Sequence, residues 1–463
     1  MTFPETPYFR PTRAAAVLAL IASFGLSACE TLGIGGFTLL DEEPELQATF
    51  DVAPPPSPPV REPEPEPTLV GTSTQQMLPA GFTPSARVGL LLPLSGRHAP
   101  VGQALLNAAQ LALFDVADHG VALIVRDTGG TPEGAVRAAR SVLDESAGIV
   151  LGPLFASSVK AVAPEARRFG VNVIGFSNDS TVAGDNVFIM GITPDTQVAR
   201  IIDYAKRQGR RRFAVLAPRT PYGQAVIRAA QAALSGGSAE LAKVVTYDPA
   251  ARDITPEIRS LAQYDLRKRA LLNQRQQLRA RGDEASRLAL KRLENRDTLG
   301  NPDFDALLLP AGAPSLMTIA PSLAYYDVDP AQVSFLGTTL WDNPSLGTEP
   351  ALTGGWFAAP PPKSWRLFAK RYEDTYGKTP PRIASLAYDA VALAAVLTRS
   401  AVDQRKVFSA EAIAQPSGFA GVDGIFRFLP DSRVERGLAV LEMGRDRFKV
   451  MEPAPRTFER AVF

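Results

Sequence analysis

The sequence has few residues that bind metals or act as nucleophiles. Its 463 residues include only two histidines, His98 and His119, and a single cysteine, Cys29. A structural zinc site takes about four histidine or cysteine ligands, so this scarcity excludes one. A cysteine nucleophile paired with histidine is also disfavoured, because the position of Cys29 has another explanation. We therefore expect no metal, no cofactor and no catalytic residue.

An excess of charge of either sign is also missing. Lys and Arg number 49 against 48 Asp and Glu, which gives a net charge of +1. Proteins that bind nucleic acid through phosphates are usually strongly basic, so we expect no nucleic-acid partner. Hydrophobic residues make up 45% of the chain, enough for globular cores, and its length predicts two domains.

The apolar run near the N-terminus, residues 14–25, is shorter than the roughly 20 residues that a membrane-spanning helix needs. Two arginines precede it and Leu-Ser-Ala-Cys follows, which is typical of a secretory signal over residues 1–28. These four residues resemble a bacterial lipobox, which implies lipidation of Cys29. An ordinary signal peptide with an incidental cysteine is the alternative. Glu30, by resemblance to Gram-negative sorting signals, favours the outer membrane.

Residues 29–84 predict a tether. Within them, residues 53–67 read APPPSPPVREPEPEP, a proline-rich and acidic stretch that cannot form a packed core. Such a segment is extended and partly polyproline II. Two interpretations stay open: the tether either lets the folded part reach a distant partner, or it is a generic lipoprotein spacer.

From residue 86 the pattern alternates between strand and helix. Residues 88–92 form a short apolar run, typical of a strand buried on both faces. Pro-Leu-Ser-Gly at 93–96 predicts a turn, and residues 101–114 carry apolar residues at helical spacing. Strand, turn and helix form the first unit of a parallel α/β sheet, and similar units follow.

This opening resembles that of the type I periplasmic binding proteins of the leucine/isoleucine/valine-binding family, and the order of elements over about residues 86–450 is similar to theirs. The resemblance implies an α/β fold with two doubly wound, Rossmann-like lobes joined by three crossover strands. The expected segments are residues 86–192 and 360–425 for lobe 1, and residues 193–359 and 426–450 for lobe 2. A terminal hairpin is expected to join 426–428 to 438–443.

Residues 254–301 interrupt the alternation. Between Asp265 and Arg296 the sequence has ten Lys or Arg against four Asp or Glu, with leucines spaced through it. This predicts one or two amphipathic helices, basic outside and lined with leucine inside. The insertion is either a solvated addition packed on the lobe, or a surface for an acidic partner or an anionic cell-wall polymer.

Polar residues follow several of the predicted strands. Hydroxyl groups and free N–H groups at a helix N-terminus suit a carboxylate, and serines occupy such a place at 157 and 158. Helix capping is the alternative role for each serine. The resemblance implies that the ring of Tyr222, in Thr-Pro-Tyr-Gly, covers a ligand; a packing tyrosine is the alternative. The candidate ligand-binding residues are Ser95, Ser157, Ser158, Ser177, Asn178, Tyr222 and Asp342.

Two features weaken the match to an amino-acid site, and one motif suggests an enzyme. Asp179 stands where the family's amino-acid binders commonly carry a hydroxyl, and its carboxylate would repel that of a ligand. Asp342, the acid available for an ammonium group, is shifted from the expected place. Ser157 and Lys160 match the S-x-x-K of penicillin-recognising enzymes, but the two companion motifs are altered. We therefore expect a non-catalytic protein.

The lipobox, the tether, the insertion and the weakened site resemble the Lpo-type activators of penicillin-binding proteins. This resemblance implies a lipid-anchored protein of the periplasm, at the outer membrane, whose partner is a bifunctional penicillin-binding protein that it activates in peptidoglycan synthesis. The alternative is a solute-binding protein that delivers an amino acid of the branched-chain type to an ABC permease. A small amino-acid-like ligand is compatible with either function.

Overall fold

The computed structural model describes residues 85–458 apart from 117–119, 402, 404–405 and 446. The expected signal peptide, the lipidation site at Cys29 and the proline-rich tether lie outside the described residues. Among the described helices, none is both long and apolar enough to cross a membrane.

Strands and helices alternate regularly through the first part of the fold. The elements are β1 (Ala86–Leu92), α1 (Ala99–Val116), β2 (Val121–Asp127), α2 (Pro132–Asp144), β3 (Ile149–Leu151), α3 (Ala156–Arg168), β4 (Asn172–Gly175) and β5 (Val187–Ile189). Their strands form a parallel sheet in the order β2-β1-β3-β4-β5. We refer to this sheet and the helices packed on it as the first lobe.

Both faces of this sheet are covered by helices. Leu90 and Leu92 on β1 pack into one core together with α1, whereas Leu91 packs on the opposite face with Val142 of α2 and Val159 of α3. All five side chains are fully buried. Burial on both faces is the reason why β1 reads as a continuous apolar run.

A second group of elements continues the alternation. It comprises α4 (Pro194–Arg207), β6 (Arg212–Pro218), α5 (Pro221–Leu234), β7 (Glu240–Tyr247), α6 (Thr255–Leu261), α7 (Tyr264–Arg281), α8 (Glu284–Leu293), β8 (Ala306–Leu308), α9 (Ala313–Tyr325), β9 (Ser334–Gly337) and β10 (Trp356–Ala359). The remaining elements are α10 (Pro362–Tyr376), α11 (Ala384–Ser400), α12 (Ala410–Ile413), β11 (Phe419–Gly421), β12 (Gly424–Phe428), β13 (Val434–Arg436), β14 (Ala439–Glu442) and β15 (Lys449–Glu452).

The second sheet has seven strands in the order β15-β14-β10-β9-β8-β6-β7. Strands β6 to β10 run parallel, β14 pairs antiparallel with β10, and β15 pairs antiparallel with β14. Ile201 of α4 and Val226 of α5 lie in the core on one face, while Ile258 of α6 and Leu316 of α9 lie in the core on the other. This sheet and its helices form the second lobe, so the predicted α/β architecture with two doubly wound sheets is confirmed.

The C-terminal part of the chain returns to the first lobe before it ends in the second. Phe368 of α10 and Leu386 of α11 lie in the same core as β1. The expected hairpin between 426–428 and 438–443 is wrong. Strand β12 pairs with β13 in a separate three-stranded sheet, and β14 pairs with β10 instead. The chain thus passes between the two large sheets three times, after β5, after β10 and after β13.

The insertion after β7 forms three helices, α6, α7 and α8, and its leucines divide between two environments. Leu271 and Leu278 on α7 are buried, as expected for a leucine-lined inner face. Leu266, Leu272 and Leu288 are instead 60%, 53% and 57% exposed. The prediction that the leucines face inward is therefore wrong for these three, which lie among the basic residues of the outer face.

Gly337, at the end of β9, is required by the packing of Trp341. Trp341 is fully buried, and its indole N–H donates to the Leu309 carbonyl at 3.0 Å. A Cβ atom on Gly337 would lie 2.2 Å from Cδ2 of this indole. We expect Gly337→Ala to lower the free energy of unfolding by about 3 kcal/mol, the upper end for overpacking.

Denaturant unfolding followed by circular dichroism measures this change. Gly312→Ala is the matched control, because a Cβ there meets no atom within 4 Å. Equal stability of the two variants would show that the indole moves aside without cost.

Candidate functional site

A cleft of about 1000 Å³ lies between the two lobes. It is lined from the first lobe by residues 154–156 after β3 and 176–181 after β4. Thr339 and Leu340 after β9 line it from the second lobe together with five residues of α5: Pro221, Tyr222, Gln224, Ala225 and Arg228. Arg382, Ile383 and Leu386, at the start of α11, also contribute. In parallel α/β sheets the carboxyl ends of the strands are the usual place for a ligand, and this cleft lies at such ends in both sheets.

Ser177 and Asn178, two of the candidate ligand-binding residues, line the cleft directly after β4. Ser177 is buried, and its hydroxyl oxygen accepts a hydrogen bond from the Asp179 N–H at 3.0 Å. Asn178 is exposed, so its side-chain amide is free to meet a ligand. The Asp179 carboxylate accepts from the N–H of Thr181 at 3.0 Å and from its hydroxyl at 2.7 Å. These bonds direct that carboxylate toward its own turn.

The N-terminus of α3 also borders the cleft. Ala156 lines it, and Phe155 at the N-cap provides no side-chain hydrogen bond to the first N–H groups of the helix. Ser157 is exposed and Ser158 is buried, and neither is among the lining residues. The Ser158 hydroxyl has no hydrogen-bond partner within the described chain. The first N–H groups of α3, which no side chain caps, therefore border the cleft, and they carry partial positive charge.

Ser95 follows β1 but is not among the residues that line the cleft. Its N–H donates to the Asp127 carboxylate at 3.2 Å, and the N–H groups of Leu94 and Gly129 donate to the same oxygen at 2.8 Å. Partial burial opposes the charge of Asp127, but hydrogen bonds from the Ser95 hydroxyl and these N–H groups outweigh it and lower the pKa of Asp127. These bonds hold the turn after β1 to the end of β2.

Tyr222, the second residue of α5, lines the cleft from the second lobe. Its hydroxyl donates to Oγ1 of Thr338 at 3.0 Å. Burial raises the pKa of Tyr222 to about 12, so the phenol stays neutral at physiological pH. The hydrogen bond holds the Tyr222 side chain through its hydroxyl group, and the aromatic ring lines one wall of the cleft.

Asp342 is not among the lining residues and is held by an ion pair. Its carboxylate accepts from Nε of Arg382 at 2.9 Å, and Nη1 of Arg382 reaches Asp423 at 2.6 Å. The Arg382 guanidinium also lies over the Trp365 ring, 4.2 Å from its centroid. Burial opposes the charge of Arg382, but the Asp423 and Asp342 carboxylates outweigh it and raise the pKa of Arg382.

Arg382 and Asp423 line the cleft, although neither belongs to a recognisable sequence motif. They lie 41 positions apart and meet only after α11 and the three-stranded sheet have folded. The one local signal is an isolated arginine just before a long apolar helix, and that pattern has many causes. Because Asp342 forms an ion pair with Arg382, its carboxylate is not free to bind an ammonium group.

The other cations of the cleft differ in their pairing. Arg433 pairs with Asp431 at 2.6 Å and lies 4.0 Å from Asp195. Arg228 on α5 is exposed, and within the described residues its side chain has no ion-pair or hydrogen-bond partner. Arg228 is thus the cleft cation that is free to attract an anion. The described residues contain no group of His, Cys, Asp and Glu that could hold a metal ion.

A family model described as periplasmic binding protein matches residues 85–447. The chain belongs to the periplasmic binding protein family. This match covers most of the chain, and membership implies a periplasmic location. The sequence-based identification of the family and of its two-lobed fold is therefore confirmed.

Solved structures of solute-binding proteins share the fold of this periplasmic binding protein. An ABC transporter substrate-binding protein from Sphaerobacter thermophilus has a TM-score of 0.59 and 15% identity, covering 79% of this chain and 96% of its own. A solute-binding protein of R. palustris in complex with benzoate has a TM-score of 0.55 and 16% identity, with 81% and 98% covered. A leucine-binding protein from Thermotoga maritima has a TM-score of 0.53 and 18% identity, with 80% and 98% covered.

A curated relative, the uncharacterized protein RP748 of Rickettsia prowazekii, is 23% identical over 175 residues. The match covers 38% of this periplasmic binding protein and about half, 47%, of the relative. The solved structures, which are each less than 20% identical to this chain, show a shared fold. The family and these structural neighbours are solute-binding proteins rather than enzymes.

Proposed function

We propose that this protein binds a small organic acid in the cleft between its lobes and presents it to an ABC permease. The observation that supports this is the facing arrangement of the uncapped α3 N-terminus and Ser177 on one wall, with the Tyr222 ring on the other. A cleft that is largely preformed and has a few polar groups is the usual form of a ligand site.

The free charges of the cleft favour a carboxylate without an α-ammonium group. The acids that line the cleft are engaged within the chain, Asp179 by Thr181, Asp195 by Ser180 and Asp423 by Arg382. The α3 N-terminus and Arg228 are positive and free, so they suit an acidic group. Asp342, which an amino acid would use for its ammonium, is engaged by Arg382. Leucine therefore suits this cleft less well than a simple carboxylic acid does. The fold itself occurs both in a leucine-binding protein and in a protein solved in complex with benzoate.

An apolar body on the ligand fits the remaining walls. Apolar side chains from both lobes and from α11 line the cleft around the polar groups: Leu154, Phe155, Phe176, Leu340, Ile383 and Leu386. Burial of a ligand's apolar surface against them contributes roughly 25 cal/mol per Å². We therefore expect an aromatic or branched aliphatic acid to bind more tightly than acetate.

A thermal-shift screen of the full chain tests the proposal. The probes are benzoate, 4-hydroxybenzoate, 4-methylvalerate, leucine, isoleucine and, as a small control, acetate. A ligand at 100 times its Kd stabilises the folded state by about 2.7 kcal/mol, a readily measured shift in Tm. No shift with any of the apolar acids or amino acids would remove the solute-binding proposal.

Tyr222→Ala is expected to weaken the binding of the best probe by roughly 10- to 100-fold, because it removes one wall of the cleft. Tyr222→Phe should change the affinity less than about threefold, since the lost hydroxyl bonds Thr338 rather than the ligand. Isothermal titration calorimetry gives both values. Tyr325→Ala is the matched control, because that ring is 77% exposed on α9. Equal losses in Tyr222→Ala and Tyr325→Ala would show that the ring does not contact the ligand.

A second candidate function is activation of a bifunctional penicillin-binding protein by a lipoprotein anchored through Cys29 at the outer membrane. The observation that favours it is the Asp342–Arg382 ion pair, in which the chain's own arginine engages the acid that an amino-acid ligand would need for its ammonium group. Glycan synthesis by the purified synthase should then rise when the full chain is added. In the variant Cys29→Ser, the protein should be lost from the membrane fraction. An unchanged distribution between membrane and soluble fractions would contradict lipid anchoring at Cys29.

A further inference from the structure

The insertion that contains helices α7 and α8 concentrates basic residues. Between Asp265 and Arg296 it has ten Lys or Arg against four Asp or Glu, whereas the whole chain is nearly neutral. On the insertion, six basic side chains form no ion pair or hydrogen bond with any described residue: Arg269, Arg279, Arg287, Lys291, Arg292 and Arg296. Unpaired cations grouped on one insertion create a local positive potential that attracts acidic partners.

The same face exposes large apolar side chains. Leu266 and Leu272 on α7 and Leu288 on α8 are each more than half exposed. Lys291 and Arg292, three and four positions after Leu288, lie beside it on the exposed side of α8. An exposed leucine keeps apolar surface in water, and a partner that covers it removes this surface from water, which is favourable, as at the centre of protein interfaces.

We infer that the outer face of α7 and α8 is a docking surface for an acidic protein. The charge selects an acidic partner, and the three exposed leucines are the apolar anchors of the contact. This surface is separate from the cleft, because none of its residues lines it, so the inference does not rest on a bound solute.

A protein partner fits this face better than a lipid bilayer does. Helices that lie in a membrane expose a continuous apolar stripe. Here the apolar faces of α6 and α7 are turned inward, where Ile258 and Leu271 are buried, and the exposed leucines are separated by charged residues. A polyanion that offers charge alone would leave these leucines uncovered.

The first step of the test is photo-crosslinking in cells that produce the full chain. A benzophenone amino acid is placed at Leu272 or Leu288, and at Phe169 or Tyr325 as controls, which are 52% and 77% exposed outside the insertion. We expect an adduct of one defined mass from the insertion positions and not from the controls. No adduct at either insertion position would overturn the inference.

The second step measures whether the identified partner binds as the surface predicts. The triple variant R269E/R287E/R292E should weaken its binding at least tenfold, and Leu288→Ala should weaken it several-fold. The wild-type affinity should fall as salt rises from 50 to 200 mM. Affinity unchanged in the triple variant, or binding of the wild type to phosphatidylglycerol vesicles without any protein partner, would overturn it.

The variants are expected to stay folded, because the three arginines are exposed and unpaired. Their Tm and their response to the cleft ligand should match those of the wild type. A triple variant that binds the solute normally but not the partner protein would separate this surface from the proposed solute site.

Discussion

Replacing Arg382 with glutamine is expected to lower the free energy of unfolding by about 3–5 kcal/mol, the range for breaking a buried ion pair from one side. The arginine holds two carboxylates, and the side chain of Asp423 is only 2% exposed while that of Asp342 is 14% exposed. Glutamine cannot neutralise either charge. Asp342 would then remain partly desolvated without its cation, whereas Asp423 would keep the nearby charge of Arg436 and the hydrogen bond from the Ser385 hydroxyl at 2.7 Å.

The same substitution is expected to separate the lobes. Asp342 follows β9 of the second lobe, whereas Arg382 stands at the start of α11, which packs in the core of the first. Their ion pair, at 2.9 Å, therefore crosses from one lobe to the other. Without it, the population with the lobes apart should rise, which small-angle X-ray scattering detects as a larger radius of gyration.

Asp342→Asn distinguishes the two effects. It removes the charge of the contact between the lobes and leaves the pair between Arg382 and Asp423 intact. We expect a larger radius of gyration with a smaller loss of stability than in Arg382→Gln. Equal stability losses in the two variants would show that the contact with Asp342 contributes more than the one with buried Asp423.

Arg371→Gln is the matched control for a lost arginine. This side chain is 61% exposed and pairs with Asp115 within the first lobe. Exposed pairs contribute between about 0 and 1 kcal/mol, so stability should change little and the radius of gyration not at all. If Arg382→Gln behaves like this control in both measurements, the contact at Arg382 does not join the lobes in solution.

The sequence predicted those parts of the fold that depend on neighbouring residues. The apolar run of β1 and the helical spacing of α1 are local consequences of burial, and both elements are present where expected. The terminal hairpin was misassigned because strand pairing depends on partners far along the chain. The residues 429–433 close a tight turn between β12 and β13, with the Leu429 N–H donating to the Arg433 carbonyl at 2.8 Å, and this fixes a different pairing.

The cleft could be predicted only in part for the same reason. Ser177, Asn178 and Tyr222 line it because they follow or face the inner strands of the two sheets. Ser95 also follows a central strand, but three N–H groups bound to Asp127 hold its turn elsewhere. Arg382 contributes through ion pairs to acids 40 and 41 positions away, which no local pattern encodes.

Asp389 on α11 is a buried carboxylate, and its replacement by the neutral amide is expected to change how stability depends on pH. Asp389 is 1% exposed, and one of its oxygens accepts from the Val422 N–H at 2.7 Å. The other oxygen has no hydrogen-bond partner among the described residues. Burial and the nearby Asp423 raise the pKa of Asp389 to about 7, although the buried Arg436 acts in the opposite direction.

A raised pKa in the folded state makes stability depend on pH with a definite sign. In the unfolded chain Asp389 titrates near 4, so between about pH 4 and 7 the folded state holds a proton that the unfolded state releases. Its contribution to stability is present below that window and is lost as the pH rises through it. Above pH 7 both states are ionised, and the destabilisation stays constant at up to roughly 4 kcal/mol.

Asp389→Asn should therefore be more stable than the wild type at pH 8 and about equally stable at pH 4.5. Asparagine keeps an oxygen for the Val422 N–H and stays neutral at every pH, so the difference between the two proteins isolates one titration. Urea unfolding at pH 4.5, 6, 7 and 8 measures it, with Asp374→Asn, an exposed partner of Lys370, as the control. If the difference in free energy of unfolding between Asp389→Asn and the wild type does not increase from pH 4.5 to pH 8, Arg436 keeps Asp389 ionised in the folded state. In that case the carboxylate is one half of a buried ion pair, and its replacement should destabilise the protein throughout.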